Sequence, residues 1–502
     1  NEEKLISLTN ELQIFIKETY SRFHYQSLQL NDNKLEKVAH LLIEFAEDIN
    51  LEIGIWKSYE NYNINTFGTP LPCTIEKGKQ IPGNDGLNKY RIQHFLWNIY
   101  GMMEPNLSLS PGHQDLQFLA NELATFLNNK KSQFPKYSTL KNYLWSPEYE
   151  TYIIKRKLIW VGTKSYLFRE NYNYYLEKGN LKEDIPVIDD FINQTSTLWS
   201  GMGVIDILPD LLPIPKSRKE DIQKWHERHL AYYLVESIRG NKLITKNIIN
   251  ERSYRIADVG KNSPFKVGNV VFGSTVKYGD DWHWSGAQRL LGNMEENEIN
   301  KIREDFINNT SGIVYRYDKD LLEIAKKRTK EFYNEFLSDY GDEIVEFING
   351  LSFAASFQKR EREKYEALSQ EKYEELKAKH KLKNKSPNFD FPENLINCEN
   401  GISVFFNINE GQEILIEFDD FKKVFAKQGE NLTEEDCDYI YAMMEDDSIN
   451  PGFVKKIIKQ YGIKSILKAY YVDEEACIEY LLHKYKGLFY RQRYPTLTIN
   501  QK

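Results

Sequence analysis

One stretch of this sequence, from Lys242 to Leu291, is rich in β-branched and aromatic residues and constrains the fold more than any other. Its apolar runs are short, and turn formers such as Asn262-Ser-Pro264 and Gly279-Asp-Asp281 separate them. Short runs of this composition are typical of a small antiparallel sheet. Gly268 and Gly273 interrupt the runs, which indicates bulges or barrel corners. We expect four apolar residues to form the inward face of this β module: Val267, Val270, Phe272 and Val276.

Two tryptophans stand near the end of this stretch. Side chains two residues apart on a strand point the same way, so Trp282 and Trp284 share one face and His283 faces the other. Buried tryptophans here would close the floor of the module. Exposed tryptophans near Lys266 and Lys277 would instead form a platform that stacks on a base or sugar. We favour the packing interpretation and keep Trp282 and Trp284 as candidate binding residues.

The rest of the chain reads mainly as helix. Apolar residues recur at steps of three and four from Leu5 to Phe15 and from Leu35 to Ile49, the pattern of amphipathic helices. A chain of 502 residues is too long for one compact core. We predict a mainly α protein with a small embedded antiparallel β module and a C-terminal α+β region. The predicted boundaries follow proline-rich joints and composition: a helical region 1–215, a helix plus β module 216–293, a long-helix region 294–386, and an α+β region 387–502.

Charge and cysteine content restrict the class of protein. The formal net charge is −8, which argues against a bulk polyanion binder but leaves local basic patches open. The four cysteines stand far apart with no C-x-x-C pair, so we expect neither a zinc knuckle nor a disulfide framework. No run of about 18 apolar residues is present, so we predict no membrane-spanning segment and no membrane partner. These features favour a reducing, cytoplasmic setting.

Carboxylates and histidines supply weak candidates for chemistry. Asp189, Asp190 and Asp206 lie in an otherwise apolar stretch, where they could bind Mg²⁺, act as acid and base, or cap helices. His226 and His229 are three residues apart in a segment that we predict to be helical from about 219 to 239, so they would share a helical face. That spacing could hold a metal, but it is not the H-E-x-x-H signature. Overall the sequence predicts no cofactor and no metal site.

Two segments of the sequence are rich in positive charge. The run from Leu376 to Lys385 contains five lysines, including Lys379 and Lys381, and no acid. The segment from Lys484 to Tyr494 mixes four cations with four aromatic residues. Such a mixture suits stacking plus phosphate contact, but it equally suits aromatic anchoring of a tail. The candidate binding residues in the tail are Tyr490, Arg491, Arg493 and Tyr494.

Several runs resemble a known family. The segments Phe265–Gly273, Trp282–Gly286, Gly401–Asn407, Glu410–Glu413 and Pro451–Lys455 are similar to parts of a bacterial protein family of unknown function. The resemblance implies a bacterial origin and no particular activity, cofactor or functional residue.

The absence of nucleophile, phosphate-loop and dinucleotide motifs favours binding over catalysis. We therefore expect a non-enzymatic recognition or scaffold protein whose partner is another protein or a single-stranded nucleic acid. The alternative is a metal-dependent hydrolase or nuclease whose carboxylates converge only in the fold.

Overall fold

The structure is a computed structural model that describes residues 2–75, 78, 80–81, 86–104, 109–148, 150–257, 263–309, 319–380, 389–446, 449–462, 474–491 and 496–500. It divides into two compact units, where the sequence predicted four regions. The first unit comprises Asn1–Lys319 and Ala469–Tyr490, and the second comprises Asp320–Lys468 and Arg491–Lys502. The chain thus leaves the first unit, builds most of the second, and returns to the first near its end.

The molecule is mainly helical, as predicted. Its α-helices are α1 Glu2–Tyr20, α2 Asp32–Leu51, α3 Ile55–Phe67, α4 Lys89–Met103, α5 Gln114–Asn129, α6 Thr139–Leu144, α7 Thr151–Lys164, α8 Arg169–Lys178, α9 Ile185–Gln194, α10 Val204–Leu211, α11 Lys216–Gln223, α12 Glu296–Asn309, α13 Lys319–Tyr340, α14 Gly350–Glu366, α15 Gln370–His380, α16 Glu393–Ile396, α17 Phe418–Ala426, α18 Glu434–Glu445, α19 Pro451–Tyr461 and α20 Glu474–Lys486. No helix in the described part of the chain combines the length and apolar composition needed to cross a bilayer.

Helices of the first unit bury the apolar stripes that the sequence predicts. The Asn31 side chain caps α2 by accepting a hydrogen bond from the Lys34 N–H. Leu35, Leu42 and Phe45 of that helix are buried, as their spacing of three and four residues requires. Phe45 stacks on Phe95 of α4 with ring centroids 4.6 Å apart, which joins the two helices in one aromatic core.

Strands form two small sheets. Their bounds are β1 His229–Arg239, β2 Lys242–Asn247, β3 Ser253–Ile256, β4 Asn269–Tyr278, β5 Asp281–Asn293, β6 Ile344–Phe347, β7 Ile402–Asn407, β8 Gly411–Ile416 and β9 Thr496–Asn500. The first five belong to the β module of the first unit. The other four form a sheet of the second unit in the order β6-β7-β8-β9, and it contains the predicted hairpin of β7 and β8.

The β module is a ring of paired strands. The pairing order is β1-β2-β3-β5-β4, and β4 returns to pair with β1. All pairs are antiparallel except β3 with β5, which meet in parallel at the single pair Ile256 and Trp282. The module is therefore mixed and not purely antiparallel as predicted. A two-residue turn, Gly279-Asp280, joins β4 to β5, where the sequence predicts a hairpin.

The inward face of the module differs from the prediction. Val271, not Val270, joins the buried interior, which it shares with Ala231 and Tyr233 of β1. Val267 precedes β4 and is 58% exposed, so it lies outside the sheet. Pairing of Tyr233 with Val271 sets the register of β4. A one-residue change of register moves every side chain to the opposite face, so the sequence alternation alone could not select the face.

The helix predicted from about 219 to 239 is also wrong. Helix α11 ends at Gln223, a 3₁₀ turn covers Lys224–Glu227, and β1 begins at His229. The sequence of β1, with Tyr232, Tyr233 and Val235, contains aromatic and β-branched residues that suit a strand. Pairing with β2 and β4 on both sides then overrides any local helical preference.

One disulfide contradicts the expectation from the cysteine pattern. Cys73 and Cys477, 404 residues apart in sequence, are bonded with their Cα atoms 5.0 Å apart. Both belong to the first unit, because Cys477 lies on α20, which packs beside the N-terminal helices. The side chain of Tyr480 on α20 reaches Asn98 of α4 at 3.0 Å. The reducing, cytoplasmic setting stays a prediction, since its cysteine argument no longer holds for this pair.

Candidate functional site

Two of the three predicted aspartates come together. Asp189 and Asp190 on α9 both contact the guanidinium of Arg228, at 2.6 and 2.5 Å. Asp206 lies apart from them, at the third position of α10, where its carboxylate accepts a hydrogen bond from the Gly203 N–H. Asp206 therefore has the helix-capping role that the sequence analysis kept as an alternative.

Around Asp189 the side chains form a buried charge network, which we call the Asp189 network. Lys155 of α7 donates to the Asp189 carboxylate at 3.3 Å and to the Ser285 hydroxyl at 2.6 Å. Ser285 of β5 in turn donates to Asp189 at 2.6 Å. The Lys155 ammonium also lies 4.7 Å from the centre of the Trp225 ring. No pattern in the sequence predicts that Lys155, Arg228 and Ser285 join Asp189, since they stand 34 to 96 residues from it.

Burial and charge act against each other in this network. Burial opposes the charged form of Asp189, yet Lys155 and Arg228 hold the pKa of its carboxyl below the ordinary value. Burial lowers the pKa of the Lys155 amine, and Asp189 opposes that shift. An amine beside a serine hydroxyl is the arrangement of a base and a nucleophile. Here, however, Ser285 is only 1% exposed and its hydroxyl is engaged by Asp189, so the network serves to join elements.

The Asp189 network attaches the β module to the helices of the first unit. It links α7 and α9 to the outer side of β5 through Ser285. Neighbouring contacts do the same: the Trp225 indole donates to the Lys277 carbonyl at 2.9 Å, and the Gly279 N–H donates to Asp221 at 2.8 Å. Gly286 follows with φ +71°, and a Cβ there would lie 3.1 Å from Asp189. The outer side of β4 and of β5 around Ser285 is therefore occupied by helices, whereas residues 287–290 in the second half of β5 are exposed.

Trp282 and Trp284 lie against the interior of the module. Both are half-buried, and Trp282 contacts His229 and Tyr254 with ring centroids 4.8 and 4.6 Å apart. Trp284 meets Tyr233 edge to face at 5.6 Å. His283 faces the other way, as predicted, and is buried. These contacts match the packing interpretation of the two tryptophans.

The two candidate metal-binding histidines do not share a helical face. His226 belongs to the 3₁₀ turn, and its ring nitrogen lies 3.1 Å from the Gln223 carbonyl. His229 begins β1, and its ring nitrogen lies 2.7 Å from the Tyr254 hydroxyl. The helical prediction fails because the chain becomes a strand between them. Within the described ranges, His, Cys, Asp and Glu side chains form no group of three or more that could hold a metal ion.

The two predicted basic segments are only partly described. Lys379 belongs to α15, whereas Lys381, Arg493 and Tyr494 lie outside the described residues. Tyr490 stacks on His483 with ring centroids 3.5 Å apart and is 38% exposed. Arg491 is half-buried and begins the last segment of the second unit. Binding by these residues remains a prediction.

A different surface is formed by the outer side of β1, β2 and β3, which we call the cationic face. Cross-strand pairing places Arg239 opposite Lys242, Ile244 opposite Arg255, and Lys246 opposite Ser253. Paired residues project from the same side of a sheet. The alternate residues of β2 and β3 point into the module, as the buried Leu243, Thr245 and Tyr254 demonstrate. The outward positions are Leu234, Ser237, Arg239, Lys242, Ile244, Lys246, Ser253 and Arg255, and the exposed Glu236 stands at the bulge of β1 between Val235 and Ser237.

The cationic face is accessible and strongly positive. Its eight outward positions carry four cations, and the side chains of Lys242, Lys246 and Arg255 are 37%, 40% and 49% exposed. The exposed Glu236 at the β1 bulge is the one carboxylate within these strands, and other acidic residues stand at the margins. Asp281 contacts Lys242 and Arg255, and Glu251 lies 3.9 Å from Lys246. The signal was present in the sequence as the alternation from Lys242 to Lys246, but only the fold reveals which side is open.

Comparisons of the chain with protein-family models, with curated proteins and with solved structures give no match. The interpretation of function therefore depends on the geometry of the chain itself.

Proposed function

We propose that the first unit binds single-stranded nucleic acid on the cationic face of its β module. The observation that carries the proposal is the charge of this face: four cations from three adjacent strands against one exposed carboxylate, Glu236, at the β1 bulge. Phosphate contacts supply most of the affinity in sequence-independent binding. Because the whole chain is acidic, with a formal charge of −8, binding requires a local concentration of cations such as this face.

The topology supports the same ligand class. A five-stranded ring in the order β1-β2-β3-β5-β4, with β1 paired to both β2 and β4, corresponds to the strand order of an OB-fold. Proteins of that architecture bind oligonucleotides and oligosaccharides on the face of strands 2 and 3 and on the loops that flank it. In this chain that face is exposed, whereas helices occupy the outer side of β4 and of β5 around Ser285. Fold alone does not establish function, so the charge carries the argument.

The side chains of the cationic face also indicate how it would contact nucleic-acid bases. The face carries no aromatic ring, so stacking must come from the planar guanidinium groups of Arg239 and Arg255. Ile244 between them offers a small apolar contact. Such a surface follows the phosphate backbone and has little preference among bases, because few directed hydrogen bonds reach base edges.

Removing two cations of the face should weaken binding. Arg239→Ala with Lys246→Ala leaves the contacts of Asp281 intact. Loss of two phosphate contacts should make the slope of log K against log salt shallower by about 1.4, because each neutralised phosphate of a single strand contributes about 0.7. The measurement is fluorescence anisotropy of the full chain with labelled single-stranded DNA and RNA at several salt concentrations.

The matched control is Lys136→Ala with Lys182→Ala, which removes the same charge from exposed positions outside the face. The control should bind like the wild type. Wild-type affinity in Arg239→Ala/Lys246→Ala, or no binding by the wild-type chain at low salt, would overturn the proposal. In the second case a protein partner would become the surviving form of the recognition hypothesis.

A further inference from the structure

We infer that Asp281 is an internal competitor for the phosphate group on the cationic face, and that its carboxylate limits the affinity of the face for nucleic acid. This inference rests on the proposed function and assigns a regulator to the same site.

The geometry places one carboxylate between two of the four cations. Asp281 begins β5 directly after the Gly279-Asp280 turn. One of its oxygens accepts from the Lys242 ammonium at 2.7 Å, and the other accepts from the Arg255 guanidinium. Arg255 also donates to the Asp280 carbonyl at 3.3 Å. The two cations thus converge from neighbouring strands on a single acid at the edge of the face.

A phosphate would make the same contacts. Carboxylates and phosphates both accept charge-assisted hydrogen bonds from Arg and Lys, and Arg binds either group with two parallel donors. Lys242 and Arg255 remain partly exposed, so a phosphate can approach them from solvent. To bind there it must displace Asp281 from one cation or tolerate a second negative charge beside it. Asp281 contacts neither Arg239 nor Lys246, and the contact of Lys246 with Glu251 is longer, at 3.9 Å, so a phosphate displaces less when it binds these two cations.

The electrostatics of Asp281 agree with this role. Although desolvation opposes its charged form, hydrogen bonds from Lys242 and Arg255 hold the pKa of its carboxyl below the ordinary value. The carboxylate is therefore charged at neutral pH. It is therefore a competing anion at neutral pH, where the phosphate backbone is also charged.

Asp281→Asn tests the inference, and Asp280→Asn is its matched control. Both substitutions remove one negative charge from the same turn. Only Asp281→Asn frees Lys242 and Arg255, since Arg255 reaches Asp280 through its main-chain carbonyl. We expect Asp281→Asn to bind single-stranded DNA several-fold more tightly than Asp280→Asn, with a salt slope steeper by about 0.7 to 1.4 as one or two cations become available to phosphate.

A structural role for Asp281 would give a different result. Asp281 stands beside the single β3–β5 pair, so thermal unfolding and circular dichroism of each variant must accompany the binding assay. Asp281→Ser, which keeps a hydroxyl acceptor, is the second variant if Asp281→Asn does not fold. In the background of a folded Asp281 variant, Arg255→Gln should lose more affinity than it does in the wild type.

The outcomes separate the inference from the proposed function. If the wild type binds and the folded Asp281 variants bind no more tightly than Asp280→Asn, the inference is wrong and the proposed function stands. If neither the wild type nor the Asp281 variants bind at low salt, both are wrong. Binding by the Asp281 variants alone would support the competing role of Asp281 but would overturn the proposed function of the wild-type chain.

Discussion

Asp189→Ala is expected to lower the free energy of unfolding of the first unit by about 3–5 kcal/mol, the usual cost of breaking a buried ion pair by removing one partner. The substitution leaves Lys155 and Arg228 buried without their shared counter-charge. Ser285 also loses the acceptor of its hydroxyl at 2.6 Å. Because this network joins α7 and α9 to β5, the loss should include detachment of the β module from the helices.

Urea denaturation followed by tryptophan fluorescence measures this effect, since Trp225 lies beside the network. Asp190→Asn is the graded control. Asp190 is 38% exposed, and Arg228 would keep its contact with Asp189, so a loss of at most about 1 kcal/mol is expected. Equal losses of unfolding free energy in the two variants would contradict the conclusion that Asp189 is the main carboxylate of the network. An unchanged unfolding curve for Asp189→Ala would show that the network does not hold the module.

Acid should destabilise the first unit through His94. Burial, together with the nearby Lys484 ammonium, lowers the pKa of this histidine to about 3. In the unfolded chain its pKa is about 6.5. Between these values the unfolded state binds a proton that the folded state does not. The stability that comes from the neutral His94 ring is therefore fully present above the pKa of the unfolded chain. It is lost as the pH falls toward the pKa of the folded state, by about 3 kcal/mol between pH 7 and pH 4.

His94→Gln separates this effect from other acid titrations. The histidine ring nitrogens lie 2.7 Å from the Tyr59 hydroxyl and 3.1 Å from the Thr74 hydroxyl, and an amide can partly replace those contacts. The variant should be less stable at pH 7 but should lose about 3 kcal/mol less on acidification, measured by urea denaturation at both pH values. His40→Gln makes the same substitution at an exposed position and is the matched control. The same acid sensitivity in His94→Gln would contradict the assignment.

Local sequence determined much of the secondary structure. The amphipathic spacing from Leu35 to Ile49 gives a helix because burying one apolar stripe is favourable wherever that helix packs. The runs at Ile402–Asn407 and Gly411–Ile416 form the predicted hairpin, since a short turn of Asn and Gly holds neighbouring strands together. The β-rich stretch likewise becomes the module. In these elements the local pattern and the tertiary packing agree, so the sequence was sufficient to predict them.

The sites depended on contacts that only the tertiary structure makes. Asp189 and Asp190 were visible as unusual carboxylates, but Lys155, Arg228 and Ser285 come from other elements of the first unit. His226 and His229 separated because pairing with β2 and β4 converted the segment to a strand.

Tertiary packing likewise decided that the cationic face is exposed and that the disulfide can form. The alternation of Lys242, Ile244 and Lys246 was readable from the sequence, yet either side of β2 could have been buried. The register of β2 with β1 and β3 turned Leu243 and Thr245 into the module and left the lysines outside, and the helices around Ser285 cover a different part of the outer surface. Cys73 and Cys477 meet across 404 residues for the same reason: α20 returns to the first unit, where its buried side chains find their partners. The positions of the two cysteines in the sequence do not indicate that the chain returns in this way.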